Sequence, residues 1–154
     1  MPATRSLSNL LALVLLGIMF LILFLSARND SATMDELAHI PAAYSYIKLK
    51  DMRLNPEHPP LLKDLSGIGI SFLNPNFPTN TAAWRDEING QWVQGAVFLY
   101  ESGNNPDQIL MAGRLPVMLL ALFFGWLLYR WVASIYGVRV ALLTLFFYVF
   151  SPTF

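Results

Sequence analysis

An unbroken apolar run from Leu10 to Leu25 constrains this chain more than any other feature. With Asn9 and Ser26 at its edges, the run is about long enough to cross ~30 Å of hydrocarbon as a helix rising 1.5 Å per residue. A second apolar block extends from Val117 to Val132, and a third begins at Ala141 and continues to Phe150. The chain is 55% hydrophobic and 13% charged, with a mean hydropathy of +0.48, well above an ordinary soluble domain. The fold class this predicts is an all-α membrane protein. A signal peptide competes for the first run, since Arg5 supplies a basic start and Ser26-Ala27 offers small residues near a cleavage point. Against it, the run is at the long end for such a peptide, and the second block re-enters the membrane in any case.

Charge narrows the function classes. The net charge is zero and no basic tract is present, so nucleic acid is not an expected partner. The absence of cysteine excludes a disulfide framework and thiolate metal sites. Any metal would therefore sit on carboxylates or imidazoles.

The charges also orient the chain. Arg5 flanks the first span, and Arg130 and Arg139 bracket the turn Ser134-Ile135-Tyr136-Gly137, so both places are expected on the cytoplasmic side. The expected order is a cytoplasmic N-terminus (1–8), a first span (9–26) and a long external loop (27–108). A second span (109–133), a cytoplasmic turn (134–138) and a truncated third span (139–154) follow. All Asp and Glu residues of the chain fall in the external loop, together with both histidines. A loop of this length with internal patterning usually carries function.

Three helix-like pieces are visible in the loop. Thr33-Met34-Asp35-Glu36 matches a capping box, after which Leu37, Ile40, Tyr44 and Ile47 recur at helical spacing. A second piece follows Pro59-Pro60 and carries Leu61, Leu62, Leu65 and Ile68, with Gly67 and Gly69 blurring its end. A third is expected from about Glu87 to Tyr100, stopped by Gly103-Asn104-Asn105-Pro106. Such helices suit a membrane interface.

Several residues could do chemistry. Asp35 and Glu36 complement the start of a helix, and adjacent carboxylates beside a span can also deprotonate a hydroxyl or hold a divalent cation. Glu36-x-x-His39 has the spacing of carboxylate-bridged metal proteins, but no further ligands are evident, so no metal ligand is assigned. In Asn55-Pro56-Glu57-His58-Pro59-Pro60-Leu61-Leu62-Lys63, three prolines restrict the backbone around Glu57 and His58. Lys63 is expected to project one turn into the following helix, where it could meet an anion. Arg114, at the outer mouth of the second span, either snorkels to headgroups or binds a phosphate with its planar fork.

In combination these motifs resemble the first external loop of the lipid-carrier-dependent glycosyltransferases, relatives of the protein O-mannosyltransferases and of the aminoarabinose transferase that modifies lipid A. The resemblance runs through Met34-Asp35-Glu36-x-x-His39-Ile40-Pro41-Ala42, Tyr44-x-Tyr46 and Asp51 to Lys63. It continues in Gln91-Trp92-x-x-Gly95, Phe98-Leu99-Tyr100, Ala112-Gly113-Arg114-Leu115-Pro116 and Phe150-Ser151-Pro152. It implies the N-terminal part of a GT-C-type membrane enzyme, with a polyprenyl-phosphate-linked sugar as donor and a lipid, glycan or protein as acceptor. It also implies an integral, multi-pass membrane protein working at the external face, and the short N-terminal signal-like region fits a bacterial plasma (inner) membrane, which makes that face periplasmic. Under that resemblance Asp35 is the catalytic base or a metal contact, supported by Glu36. His58 and Arg114 help hold the donor's phosphate end; beside them the residues themselves make Glu57 and Lys63 further substrate-binding candidates, and a divalent cation is the one cofactor to consider. Some relatives carry Lys where this chain has His58. Family members continue through many more spans, so the chain by itself is expected not to turn over substrate.

Two other classes stand beside this one. A non-catalytic small membrane anchor or assembly subunit would use the loop to bind a partner or membrane lipid. A transporter subunit would need broken helices or buried charges in the spans, and the sequence shows neither.

Overall fold

The computed structural model describes residues 2–151 and the side chains of 6–151. Pro152, the last residue of the Phe150-Ser151-Pro152 motif, and the end of the segment expected at 139–154 lie outside the described residues, as does the side chain of Arg5. The described residues are helical or irregular, with no strand. The chain divides into two compact units, residues 1–26 with 118–154, and residues 27–117.

In the first unit, α1 (Pro2–Ala27), the later part of α6 (Pro106–Tyr136) and α7 (Val138–Val149) pack around Ala12, Leu16, Met19, Tyr129, Ala141, Leu145 and Val149. Gly125 lets helices approach closely, since a Cβ there would meet the Leu16 side chain and the Tyr148 ring at 2.9 Å. Two polar groups are tied off internally. Tyr129 donates to Asn9 Oδ1 at 3.0 Å, and Tyr148 donates to the Ala121 carbonyl at 2.8 Å. Large apolar side chains point outward all along these helices, among them Leu13, Leu21, Phe123, Trp131 and Phe147. Ser6–Ala27 and Pro106–Tyr136 are long and apolar enough to cross a membrane, whereas α7 is shorter. Gly137, at φ 85°, makes the turn between α6 and α7, a conformation that disfavours residues with a Cβ.

The second unit is built on α2 (Met34–Tyr44) and α3 (Leu61–Ser71), with the short α4 (Ala82–Arg85), α5 (Gln91–Ala96) and the first turns of α6. The Thr33 capping box is complete, with the Glu36 N–H donating to Thr33 Oγ1 at 3.3 Å and the Thr33 N–H donating to Glu36 Oε2 at 2.9 Å. α2 and α5 each widen into a π-turn, Ser45–Leu49 and Val97–Glu101. Ile40, Ala43, Tyr44, Ile70, Phe98, Leu99, Ile109 and Leu110 form the core, and Phe77 stacks on Tyr44 and packs at a tilt against Phe98, with ring centroids 5.6 and 5.0 Å apart.

Two expectations about local structure change. Gly67 and Gly69 do not end the second helix, which runs on to Ser71. They are contact points instead, because a Cβ on Gly67 would strike the Ala43 carbonyl and one on Gly69 the Ala112 carbonyl. The third helix does not begin near Glu87. Residues 86–90 form a turn in which Gly90 fits against the Ala83 carbonyl, and the helix starts at Gln91.

Candidate functional site

Arg114 and Glu36 are brought together from positions 78 residues apart. The guanidinium donates through Nε to Glu36 Oε1 at 2.6 Å and through Nη2 to Oε2 at 2.7 Å. Its remaining donors reach the Ala27 carbonyl at 2.8 Å and those of Asp30 and Ser31 at 3.0 Å each. All five N–H groups of the fork thus find acceptors within the protein, leaving none for a ligand. The Ala27 carbonyl lies at the open C-terminal end of α1, where unsatisfied acceptors carry partial negative charge. Burial alone would raise the pKa of Glu36, but its bonds to Arg114 and Thr33 outweigh that and hold the carboxyl below its ordinary value of 4.5. In this geometry Arg114 and Glu36 pair with each other and hold the start of α2 against the carbonyls of residues 27–31.

Lys63, expected from sequence to meet an anion, is also engaged inside the protein. It is buried, and its ammonium donates to the Asn55 carbonyl at 2.6 Å, to Tyr46 Oη at 3.0 Å and to Asn55 Oδ1 at 3.2 Å. All three acceptors are uncharged, and burial lowers its pKa against the weaker pull of Glu57 and Asp64. Tyr46 in turn donates to the Leu54 carbonyl at 2.7 Å. Together these bonds fix Asn55 in a left-handed conformation, φ 49°, and turn the chain into the Pro56 to Pro60 corner.

The corner carries His58 to His39. Their ring centroids are 5.1 Å apart, edge to face, and both line an open groove of about 420 Å³ with Ile40, Pro59, Leu61, Leu62, Lys63 and Ser66. Its wall is predominantly apolar, and the imidazoles, Lys63 and Ser66 are the polar residues among its lining. Glu57, exposed beside His58, accepts only a 3.3 Å bond from Asn55 Nδ2. Asp35 precedes His39 by one helical turn, is exposed, and has no hydrogen bond or ion pair among the described residues. Of the acidic pair, then, Glu36 is committed to Arg114 and Asp35 is available. Two imidazoles could ligate a divalent cation, but among the described residues no group of three or more His, Asp or Glu stands close enough to hold one.

Tyr46, Asn55 and the groove-lining Pro59, Leu61, Leu62 and Ser66 were not singled out as a site from sequence. Their common signal was the Tyr44-x-Tyr46 and Asn-Pro-Glu-His-Pro-Pro spacing, but what they touch depends on contacts between α2 and α3.

His39 titrates below its ordinary 6.5, because of burial first and then the positive charges of His58 and Lys63, against the opposing pull of Asp35 and Glu57. The unfolded chain therefore takes up this proton first as pH falls. The stability contribution is full above 6.5 and is lost progressively as pH drops through 6.5 toward the folded value. Thermal midpoints in detergent should decline over that range, and His39→Gln should flatten the decline. An equal decline in the variant would remove His39 as its source.

No protein-family model, curated protein or solved structure matches this chain.

Proposed function

We propose that this chain contributes the donor site of an integral-membrane glycosyltransferase with a GT-C-like arrangement, moving a sugar from a polyprenyl-phosphate carrier to a lipid, glycan or protein acceptor at the external face of the plasma membrane. The observation that carries this reading is Asp35, a carboxylate unpaired among the described residues and one helical turn before His39, which lines an apolar groove with His58. The two apolar helices provide the membrane context that a prenyl carrier needs.

In this reading Asp35 takes the proton of the acceptor hydroxyl as its oxygen attacks the anomeric carbon. The bond from that carbon to the phosphate oxygen breaks, the prenyl phosphate leaves with the electron pair, and a single displacement inverts the anomeric centre. His58 and His39 donate N–H bonds to the developing phosphate charge, which a neutral imidazole can still do through its one protonated nitrogen. The apolar wall from Pro59 to Leu62 takes the first part of the prenyl chain. Arg114, Glu36 and Lys63 fix α2 and the corner, so that Asp35 and His58 keep their places.

A non-catalytic anchor or assembly subunit is the second reading, favoured by the fact that three of the charged candidates are engaged inside the protein. Sugar transfer from a labelled polyprenyl-phosphate donor separates the two. Transfer supports the first reading, and the absence of both transfer and donor binding supports the second.

A further inference from the structure

We propose that a second, polar cleft in the loop unit binds a neutral saccharide. It is an open cavity of about 410 Å³ between segments 51–54 and 83–88, and it shares no lining residue with the groove of His39 and His58. Its volume falls within the roughly 300–1,000 Å³ of small-molecule sites.

Bonds within the protein fix its walls. The Arg53 guanidinium lies 4.5 Å over the Trp84 ring, and its Nη1 donates to the Trp84 carbonyl at 3.2 Å. Its Nε donates to Asp51 Oδ2 at 2.9 Å, and Nη2 stands 2.7 Å from the same oxygen. Trp84 is itself buried, with Phe77 edge to face against it at a centroid distance of 5.2 Å. On the other segment Arg85 Nε donates to the Thr79 carbonyl at 3.2 Å. Gly90 seats the 86–90 turn so closely on the Ala83 carbonyl that a Cβ would not fit.

The groups left over carry both signs. Arg53 keeps one N–H on each terminal nitrogen, and the terminal nitrogens of Arg85 have no acceptor among the described residues. Asp86 and Glu87 are exposed and have no hydrogen bond or ion pair among the described residues. Beside them Ile88 is 95% exposed, an apolar side chain at the rim of a charged cleft. An anionic ligand would face the carboxylates of Asp51, Asp86 and Glu87, and a cationic one the guanidiniums of Arg53 and Arg85. A neutral polyol suits both, because each hydroxyl can donate to a carboxylate and accept from a guanidinium, and bonds to ionised partners are the stronger kind. The C–H face of a pyranose ring would cover Ile88 and take its apolar surface out of water.

Saccharide binding here does not depend on sugar transfer at the groove. Saturation-transfer NMR on the protein in phosphatidylcholine nanodiscs, which carry no sugar headgroup, tests it with free trisaccharides of glucose, mannose, galactose and N-acetylglucosamine. At least one should bind. Asp86→Ala combined with Glu87→Ala should weaken it at least tenfold with the thermal midpoint unchanged, since both side chains are exposed and unpaired among the described residues. Ile88→Asp should also weaken it, through the rim rather than through the carboxylates. Binding of none of the four, or affinity unchanged in both variants, would overturn the proposal. So would saturable binding of a lysine-rich peptide in place of the sugars, which would make the cleft a dock for a cationic segment. Loss of the signal in His58→Ala with both cleft variants unaffected would place the sugar in the groove and overturn it as well.

Discussion

Arg114→Ala should be the most destabilising single substitution in the loop unit. It removes five hydrogen bonds at once and leaves the Glu36 carboxylate, whose side chain is 22% exposed, without its cation. Breaking a fully buried pair from one side costs 3–5 kcal/mol, and partial exposure here brings the expected loss to about 3 kcal/mol. For a chain of this size that is a fall in thermal midpoint of roughly 6–12 °C in detergent. Arg114→Lys should recover only part of the loss, because one ammonium cannot span both Glu36 oxygens and the carbonyls after α1. The same pair adds an acid-side dependence. Glu36 has a lowered folded pKa, so its contribution is complete above 4.5 and is lost as pH falls below that value. An unchanged midpoint in Arg114→Ala, with donor binding abolished, would instead make the guanidinium a phosphate ligand.

Asp35→Asn should do the reverse, leaving the fold intact and stopping the chemistry. Asp35 is exposed and unpaired, so its replacement should shift stability by no more than about 0.5 kcal/mol. Loss of a general base should lower turnover by roughly 10²–10⁴-fold. Donor affinity should change little, since the groove and both imidazoles are untouched. Asp35→Asn with full activity would remove the carboxylate from the mechanism, and the same variant with a much lower thermal midpoint would make Asp35 structural. The adjacent residues thus separate by readout, Glu36 with Arg114 through stability and Asp35 through rate.

Local patterns were legible in the sequence, and long-range ones were not. The Thr33 to Glu36 capping box is a four-residue signal and appears in the structure as read. The rigidity of the Pro-Pro corner was equally local. Gly67 and Gly69 were harder, because helix interruption and close packing both select glycine, and only Ala43 and Ala112 opposite them decide between the two. The Glu36 pairing with Arg114 spans the whole loop, so a capping residue and a span-mouth arginine could not be seen as one device. Lys63 illustrates the same limit. Its charge suggested an anion, whereas the structure surrounds it with three uncharged oxygens from Tyr46 and Asn55. The meeting of His39 with His58 likewise required α2 and α3 to be packed together.

The most direct measurement is a sugar-transfer assay on membranes carrying this protein, supplied with labelled polyprenyl-phosphate sugar. Transfer in the wild type, lost in Asp35→Asn while donor binding persists, is the predicted result. No transfer and no saturable donor binding in the wild type would contradict it and leave the chain as a membrane anchor.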